Sequence, residues 1–145
     1  MSAFLGGLAN GQVAKRFLIV APLAVLATWN KELSFWASGV TPYMFHALTK
    51  NDEYERMIRT FYVHTKNDPG VIITTYQTLS SKISLFESLI SKIENFDVTI
   101  IDEGHNIKNH ETGAAKALRK IPSKGKFALT GTPIMNKLME MVSRA

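Results

Sequence analysis

The chain has 145 residues, 46% of them hydrophobic, which is enough for one globular domain with a single core. It has no cysteine, which excludes disulfides and thiolate metal sites, and no apolar run near the roughly 18 residues of a membrane span, so we expect an intracellular protein without membrane association. Seventeen lysines and arginines against 12 acidic residues give a net charge of +5, which favours an anionic partner such as nucleic acid without requiring one.

Short β-rich runs alternate with amphipathic helical patterns in the first half of the chain. The helical patterns place large apolar side chains at three- and four-residue spacing, which marks the buried side of a helix. In chain order we predict a helix at 1–9, a strand at Arg16–Val20, a helix at 23–37, a strand at Pro42–Phe45 and a helix at Asn51–Val63.

The same alternation continues in the second half. We predict a strand at Val71–Thr75, a helical segment at 82–93, a strand at Val98–Ile101, a helix at 111–119, a strand at Lys126–Leu129 and a last helix from about Met135. Alternating strands and helices are typical of an α/β fold, in which crossover helices connect the strands of a parallel sheet.

Three predicted strands run into unusually polar or sterically special residues. Ligands of open parallel sheets bind outside the carboxyl ends of the strands, so these segments are the candidate site. They are Thr74-Thr75-Tyr76-Gln77, Asp102-Glu103-Gly104-His105 and Thr130-Gly131-Thr132-Pro133.

The adjacent carboxylates Asp102 and Glu103 give the strongest local signal. Two neighbouring negative charges after a buried strand are costly unless a cation or a reacting water uses them. We predict that Asp102 holds Mg²⁺, that Glu103 polarises a water for attack on a γ-phosphate, and that His105 links the nucleotide to a neighbouring element. The alternative is a solvated acidic turn.

Four segments resemble motifs of the Snf2-family ATPases of helicase superfamily 2, in the order of that family. The first two resemble motif Ia and motif Ib, and the last two resemble motif II and motif III. They are Leu18-Ile19-Val20-Ala21-Pro22 with Trp29-Asn30-Lys31-Glu32, then Val71-Ile72-Ile73-Thr74-Thr75-Tyr76, then Asp102 to Asn109, and then Leu129 to Asn136.

The resemblance extends from about Phe4 to Met141 and is closest to the excision-repair, Cockayne syndrome B-like branch, which Gly104 fits. It implies a three-layer P-loop NTPase lobe of the RecA-like type with a mainly parallel sheet. It also implies a nuclear motor that uses ATP and Mg²⁺ to move on double-stranded DNA and that acts in chromatin remodelling or DNA repair. Implied partners are duplex DNA, chromatin proteins and a second RecA-like lobe.

The resemblance also assigns roles to individual residues. It places Asp102, Glu103 and His105 among the catalytic residues, with Asp102 as the Mg²⁺ ligand. It places the nucleotide-responsive turn at Thr130, Gly131 and Thr132. The DNA-contacting residues that it implies are Pro22, Thr74, Thr75 and Lys108; of the two threonines, the one facing outward is expected to touch phosphate and the other to pack.

No G-x-x-x-x-G-K-[ST] phosphate loop occurs in the 145 residues, and no second lobe follows motif III. We therefore expect residues 1–145 to be a partial helicase ATP-binding domain that lacks the phosphate-loop strand. That absence would leave Lys126–Leu129 with an open edge. ATP hydrolysis by this chain alone should be negligible. The alternative function is a non-catalytic module that binds DNA or a protein.

Three further features have plain structural explanations. Trp29 lies on the apolar side of its helix and is expected in the core. A basic cluster, defined as Lys116, Arg119, Lys120, Lys124 and Lys126, fits a solvated face about as well as DNA contact. A zinc site is disfavoured because, of the four histidines, only His105 and His110 are close in sequence and no third ligand is evident.

Overall fold

Five parallel strands form one sheet in this computed structural model, which describes residues 7, 14–37, 39–46, 50–102 and 113–129. The strand order across the sheet is β2-β3-β1-β4-β5, and every neighbouring pair is parallel. The strands are β1 (Arg16–Val20), β2 (Thr41–Phe45), β3 (Gly70–Thr74), β4 (Phe96–Asp102) and β5 (Ser123–Leu129).

Helices connect the strands and cover both faces of the sheet. They are α1 (Leu26–Trp36), preceded by a 3-10 turn at Leu23–Val25, then α2 (Asn51–His64), α3 (Tyr76–Ser81), α4 (Ile83–Ile93) and α5 (Gly113–Arg119). The result is the predicted three-layer α/β architecture with a parallel sheet. Within the described ranges, no helix has the length and apolar character needed to cross a membrane.

The core lies on both sides of β1, the central strand. On one face α1 packs Leu26, Trp29 and Leu33 against Phe17 and Ile19 of β1 and their neighbours. On the other face the remaining helices pack against alternate strand residues, which point the opposite way. Residues 17–20 of β1 are all fully buried. A strand buried on both faces reads as a continuous apolar run, which is why this strand was predictable.

The predicted strands are confirmed, with shifted ends. β4 begins two residues earlier than predicted because Asp97 is accommodated inside the strand, and β5 begins three residues earlier because exposed Lys124 alternates with half-buried residues. β3 ends at Thr74 instead of Thr75, since Thr75 caps a helix, α3, that the sequence did not predict. The predicted helix from Met135, and the one at 1–9 apart from Gly7, lie outside the described residues.

The edge strands differ from the buried centre. Pro42, which cannot donate a ladder hydrogen bond, lies in β2 at one edge, where a proline is tolerated. Within the described residues, β5 lies at the other edge and pairs with β4. Exposed Lys124 and Lys126 lie on this strand, and edge lysines oppose unwanted strand pairing.

Asp97 connects the starts of β1, β4 and β5. Its Oδ2 accepts hydrogen bonds from the backbone N–H groups of Lys15, at 2.9 Å, and Arg16, at 3.1 Å, and Lys124 Nζ lies 3.4 Å from its Oδ1. Burial raises the pKa of this carboxyl, but the two backbone hydrogen bonds and Lys124 outweigh burial and hold the pKa below its ordinary value. The negative charge of Asp97 therefore stabilises this end of the sheet.

Candidate functional site

The carboxyl ends of the three neighbouring strands β3, β1 and β4 lie side by side at one end of the sheet. The parallel register places Val20 opposite Thr74 on one side and opposite Ile101 on the other. A further bond from the Ala21 N–H to the Thr74 carbonyl, at 2.9 Å, extends the pairing of β1 with β3. Pro22, Tyr76 and Asp102 come just after Val20, Thr74 and Ile101 in the chain. Residues far apart in the sequence therefore meet at this end of the sheet.

Asp102 is the last residue of β4 and is partly exposed. Its Oδ2 accepts a hydrogen bond from the Trp29 indole Nε1–H at 2.8 Å. The Tyr76 hydroxyl donates a hydrogen bond to the backbone carbonyl of Asp102. One aromatic side chain therefore fixes the carboxylate of Asp102, and another fixes its backbone.

An open groove of about 230 Å³ lies at the same end of the sheet, and one of its lining residues, Tyr76, is hydrogen-bonded to the backbone of Asp102. Pro22 and Leu23, which follow β1, form one wall, and Thr75, Tyr76 and Gln77, which follow β3, form the other. Leu23 is 68% exposed, an unusual exposure for a large apolar side chain. The groove therefore joins the segments that resemble motifs Ia and Ib.

Thr74, the last residue of β3, and Thr75, which follows it, are both buried, although one of them was expected to face outward. Thr74 is fully buried, and its hydroxyl has no hydrogen-bond partner within the described residues. Thr75 lines the groove but is only 8% exposed. Its hydroxyl accepts from the Thr78 N–H at 3.0 Å and donates to the Thr78 hydroxyl at 2.9 Å. Neither hydroxyl is thus presented to solvent, because Thr74 is enclosed in the sheet and Thr75 caps α3.

The remaining predicted site residues fall outside the described ranges. Their roles stay predictions: Glu103 and His105 as catalytic residues, Lys108 as a DNA contact, and Thr130, Gly131 and Thr132 as nucleotide-responsive residues. Of the predicted site residues that are described, the structure brings together Asp102, Pro22 and Thr75 at the carboxyl end of the sheet.

A wider depression of about 470 Å³ lies at α1 and is lined by Lys31, Glu32, Ser34 and Phe35. None of these was predicted as a site residue. These residues lie within α1 and not at the carboxyl ends of the strands, where ligands of parallel sheets bind, so the larger depression is not the candidate site.

The basic cluster divides among structural contacts. Lys120 forms an exposed ion pair with Glu87 at 3.8 Å. Lys124 pairs with Asp97, which lies at the opposite end of β4 from Asp102. Lys126 Nζ donates to the Leu118 carbonyl at 3.1 Å, and burial lowers the pKa of Lys126. These contacts favour a structural role for these three lysines over DNA contact.

The donor chemistry at Asp102 is compatible with a magnesium ion. Mg²⁺ prefers hard oxygen ligands such as carboxylates. A carboxylate offers about four lone-pair positions, so an indole hydrogen bond to one oxygen is compatible with a cation on the same side chain. Metal ligands are commonly oriented by an outer hydrogen bond of this kind, and Trp29 supplies one here.

Sequence reasoning missed the polar roles of Trp29 and Tyr76. The apolar spacing of α1 correctly predicted that Trp29 is buried, at 8% exposure, but it did not reveal the bond of its indole to Asp102. Buried tryptophans and tyrosines usually find a partner for their N–H or O–H group. For Tyr76 the available signal was its position just after β3, a strand whose carboxyl end lies at the same end of the sheet as Asp102.

The family model described as the SNF2-related domain matches residues 3–143 of the chain. Curated relatives include the DNA excision repair protein ERCC-6-like of Bos taurus, 35% identical over 141 residues that make up 97% of this chain and 11% of the relative. They also include the DNA repair protein RAD5 of Eremothecium gossypii, 37% identical over 90% of this chain and 12% of the relative. The chain thus spans about a tenth of the length of these relatives.

Among solved structures, the chain is similar to the Sulfolobus solfataricus SWI2/SNF2 ATPase core in complex with dsDNA. The TM-score is 0.62 at 30% sequence identity, covering 92% of this chain and 25% of that one. The ATPase core domain of the same organism gives a TM-score of 0.61 at 28% identity. These matches confirm the predicted fold, and the ERCC-6-like relatives confirm the predicted excision-repair branch.

Proposed function

Since this chain belongs to the SNF2-related domain family, we propose that residues 1–145 form part of the first RecA-like lobe of an Snf2-type, DNA-dependent ATPase. In this proposal the whole protein moves on double-stranded DNA, uses ATP and Mg²⁺, and works together with a second lobe. A nuclear location and a role in DNA repair or chromatin remodelling are part of the same proposal. They are supported by relatives named for excision repair, DNA repair and chromatin remodelling.

The proposal rests on one observation above the others: Asp102, at the end of the buried strand β4, is connected to the groove between the segments after β1 and β3. The connection is the hydroxyl of Tyr76, which donates to the Asp102 backbone carbonyl and belongs to a residue that lines the groove. This supports a site in which a residue suited to a metal-bound triphosphate is linked to a ligand groove at the carboxyl ends of the strands.

Each site residue has a proposed task. Mg²⁺ bound with ATP would neutralise charge on the phosphates. Asp102 would hold that ion, Glu103 would orient and deprotonate the attacking water, and His105 would connect the nucleotide to a neighbouring element. The proposed response to the nucleotide state is at Thr130, Gly131 and Thr132, where a glycine permits a close backbone turn.

The DNA side of the proposal uses the groove and a lysine. Pro22 and Thr75 line the groove, and Lys108 would add a positive charge nearby in sequence to Asp102. Because both threonine side chains are buried and the Thr75 hydroxyl caps α3, the proposed contribution of Thr74 and Thr75 is to hold the groove walls, through the Thr74 carbonyl and the Thr75 cap. The contacts of the groove with DNA would be to the phosphate backbone and would not read sequence.

A second candidate is a binding module without turnover. The 145 residues contain no G-x-x-x-x-G-K-[ST] segment, whose backbone N–H groups and lysine would hold the phosphates. The groove does not depend on that segment. DNA contact without hydrolysis by this chain is therefore the alternative to test.

The test combines duplex binding with ATP turnover for the 145-residue chain. We expect fluorescence anisotropy to show binding to a labelled duplex that weakens steeply with salt, as phosphate contacts require. ATP turnover should be small, and the part of it that duplex DNA stimulates should be lost in Glu103→Gln, because the residue that handles the water is missing. Glu53→Gln, an exposed glutamate in the first turn of α2, is the matched control and should change neither quantity.

The outcomes separate the two candidates. Duplex binding with no turnover that depends on Glu103 supports the binding module. Absence of duplex binding at low salt contradicts both.

A further inference from the structure

The groove and the Asp102 carboxylate are connected through both walls of the groove. One wall, Pro22 and Leu23, runs directly through the 3-10 turn into α1, which carries Trp29. Trp29 then donates its indole N–H to Asp102 Oδ2 at 2.8 Å. A displacement of this wall therefore reaches the carboxylate through a short, rigid helical segment and one hydrogen bond.

The other wall is connected more directly. Tyr76 both lines the groove and donates its hydroxyl to the Asp102 backbone carbonyl. The Thr75 side chain caps α3 and so fixes the start of the segment from which Tyr76 extends. Tyr76 therefore cannot move far without moving either the cap or the end of β4.

Burial shows that these contacts are part of the fold and not incidental surface contacts. Trp29 is 8% exposed and packs with Ile19, Ile73 and Ile100 on one face of the sheet. Its indole N–H donates to a carboxylate oxygen, and charge-assisted hydrogen bonds are among the stronger ones in proteins. The bond is strong enough to orient the carboxylate.

We propose that Trp29 and Tyr76 are positioning residues that couple the groove to Asp102, so that duplex DNA in the groove and a divalent cation at Asp102 strengthen each other's binding. This coupling rests on the proposed function, because it assumes that the groove takes duplex DNA. Ordering both walls orders the carboxylate, and a cation then binds a carboxylate whose orientation is already fixed. Linkage requires the effect to be reciprocal: Mg²⁺ should tighten duplex binding by the factor by which duplex tightens Mg²⁺ binding.

The test uses the indole N–H resonances of the 145-residue chain in ¹H–¹⁵N spectra. The sequence contains two tryptophans, and Trp36→Phe assigns the Trp29 resonance by elimination. We expect MgCl₂ alone to shift the Trp29 resonance and Asp102→Asn to abolish that shift. A duplex oligonucleotide alone should also shift it, and Tyr76→Phe should reduce the duplex-induced shift. A purely structural tryptophan would respond to neither ligand.

Coupling itself is measured as the ratio of duplex dissociation constants without and with MgCl₂, at constant ionic strength. We expect a ratio of roughly five or more in the wild type. In Trp29→Phe, which removes the indole N–H, the ratio should fall to about one while duplex binding without MgCl₂ persists. In Tyr76→Phe, which removes a hydroxyl from a residue that lines the groove, the ratio should also fall to about one, whatever the change in duplex binding without MgCl₂. Tyr54→Phe is the matched control, because the Tyr54 hydroxyl also donates to a backbone carbonyl, that of His46, outside the groove.

The results distinguish this inference from the proposed function. If duplex binds but the wild-type ratio is one, or if both variants keep the wild-type ratio, the coupling is wrong and the proposed function stands. If no duplex binds at low salt, the proposed function fails as well.

Discussion

Two aspartates on β4 show how neighbours decide the role of one residue type. Asp97, at the start of the strand, accepts two backbone N–H groups and faces Lys124, so its charge is used to hold the sheet together. Asp102, at the other end, accepts an indole N–H and is connected to the groove through Tyr76. The two carboxylates lie at opposite ends of β4, and only Asp102 belongs to the candidate site.

Replacing Asp97 by asparagine should destabilise the protein in a pH-dependent way. Asparagine keeps an acceptor but loses the charge, so we expect a loss of about 1 kcal/mol at pH 7, the usual difference between charged and neutral hydrogen bonds. The folded pKa of Asp97 is lowered, so its contribution is complete above the unfolded pKa of about 3.9 and disappears as pH falls through the folded pKa.

Urea unfolding of the wild type and Asp97→Asn between about pH 2 and about pH 7 measures this effect. The difference in unfolding free energy should be constant near neutrality and should shrink below about pH 4. Asp68→Asn, at an exposed aspartate in a turn, is the control. A difference for Asp97→Asn that is unchanged at acid pH would show that its charge does not stabilise the fold.

At the scale of elements, α3 determines the shape of the groove. This six-residue helix begins at Tyr76, directly after β3, and Thr75 caps it. A helix this short cannot be stable alone, so its start depends on the cap and on the burial of Thr78 and Leu79. The cap therefore sets where Tyr76 leaves the backbone and where the groove wall lies.

The same substitution at two adjacent threonines should have opposite effects on stability. Thr75→Val removes the capping hydroxyl and should lower the unfolding free energy by about 1–2 kcal/mol. Thr74→Val replaces a buried hydroxyl that has no partner within the described residues, so it should be about neutral or stabilising. Urea unfolding of both variants, with Thr75→Ser as the variant that restores the cap, checks the prediction. Equal losses in the two valine variants would contradict the assigned role of the cap.

At the scale of the whole molecule, stability is concentrated in the middle of the sheet. β1 pairs with β3 and β4, and the strands of this central trio are covered by helices on both faces. β2 and β5 are the edge strands of the described sheet. Because local opening needs less energy where fewer buried contacts are broken, the edges should open before the centre.

Native-state hydrogen exchange should resolve this order. We expect the hydrogen-bonded amides of β1, β3 and β4 to exchange on the order of tenfold or more slowly than those of β2 and β5. The comparison is internal, so each edge strand serves as the reference for the centre. Uniform protection across all five strands would mean that the sheet opens only as one unit.

Much of the fold could be predicted from local patterns. The continuous apolar run of β1 and the three- and four-residue spacing of α1 and α2 predicted their elements, because complete burial of a strand and one-sided burial of a helix leave clear signatures. The start of β5 was not predictable, since exposed lysines on an edge strand resemble a loop. The helix α3 was missed because it depends on a cap and tertiary packing instead of an apolar period.

The sequence by itself determined the chemistry: a carboxylate pair after a buried strand, polar strand ends in a fixed order and a membership in the SNF2-related family. Only the tertiary structure decided that Thr74 is buried, that Thr75 caps a helix, and that Trp29 and Tyr76 both reach Asp102. The physical reason is that composition and periodicity record which side chains leave water. The partner of a buried polar group is set by the strand order and register that bring distant segments together.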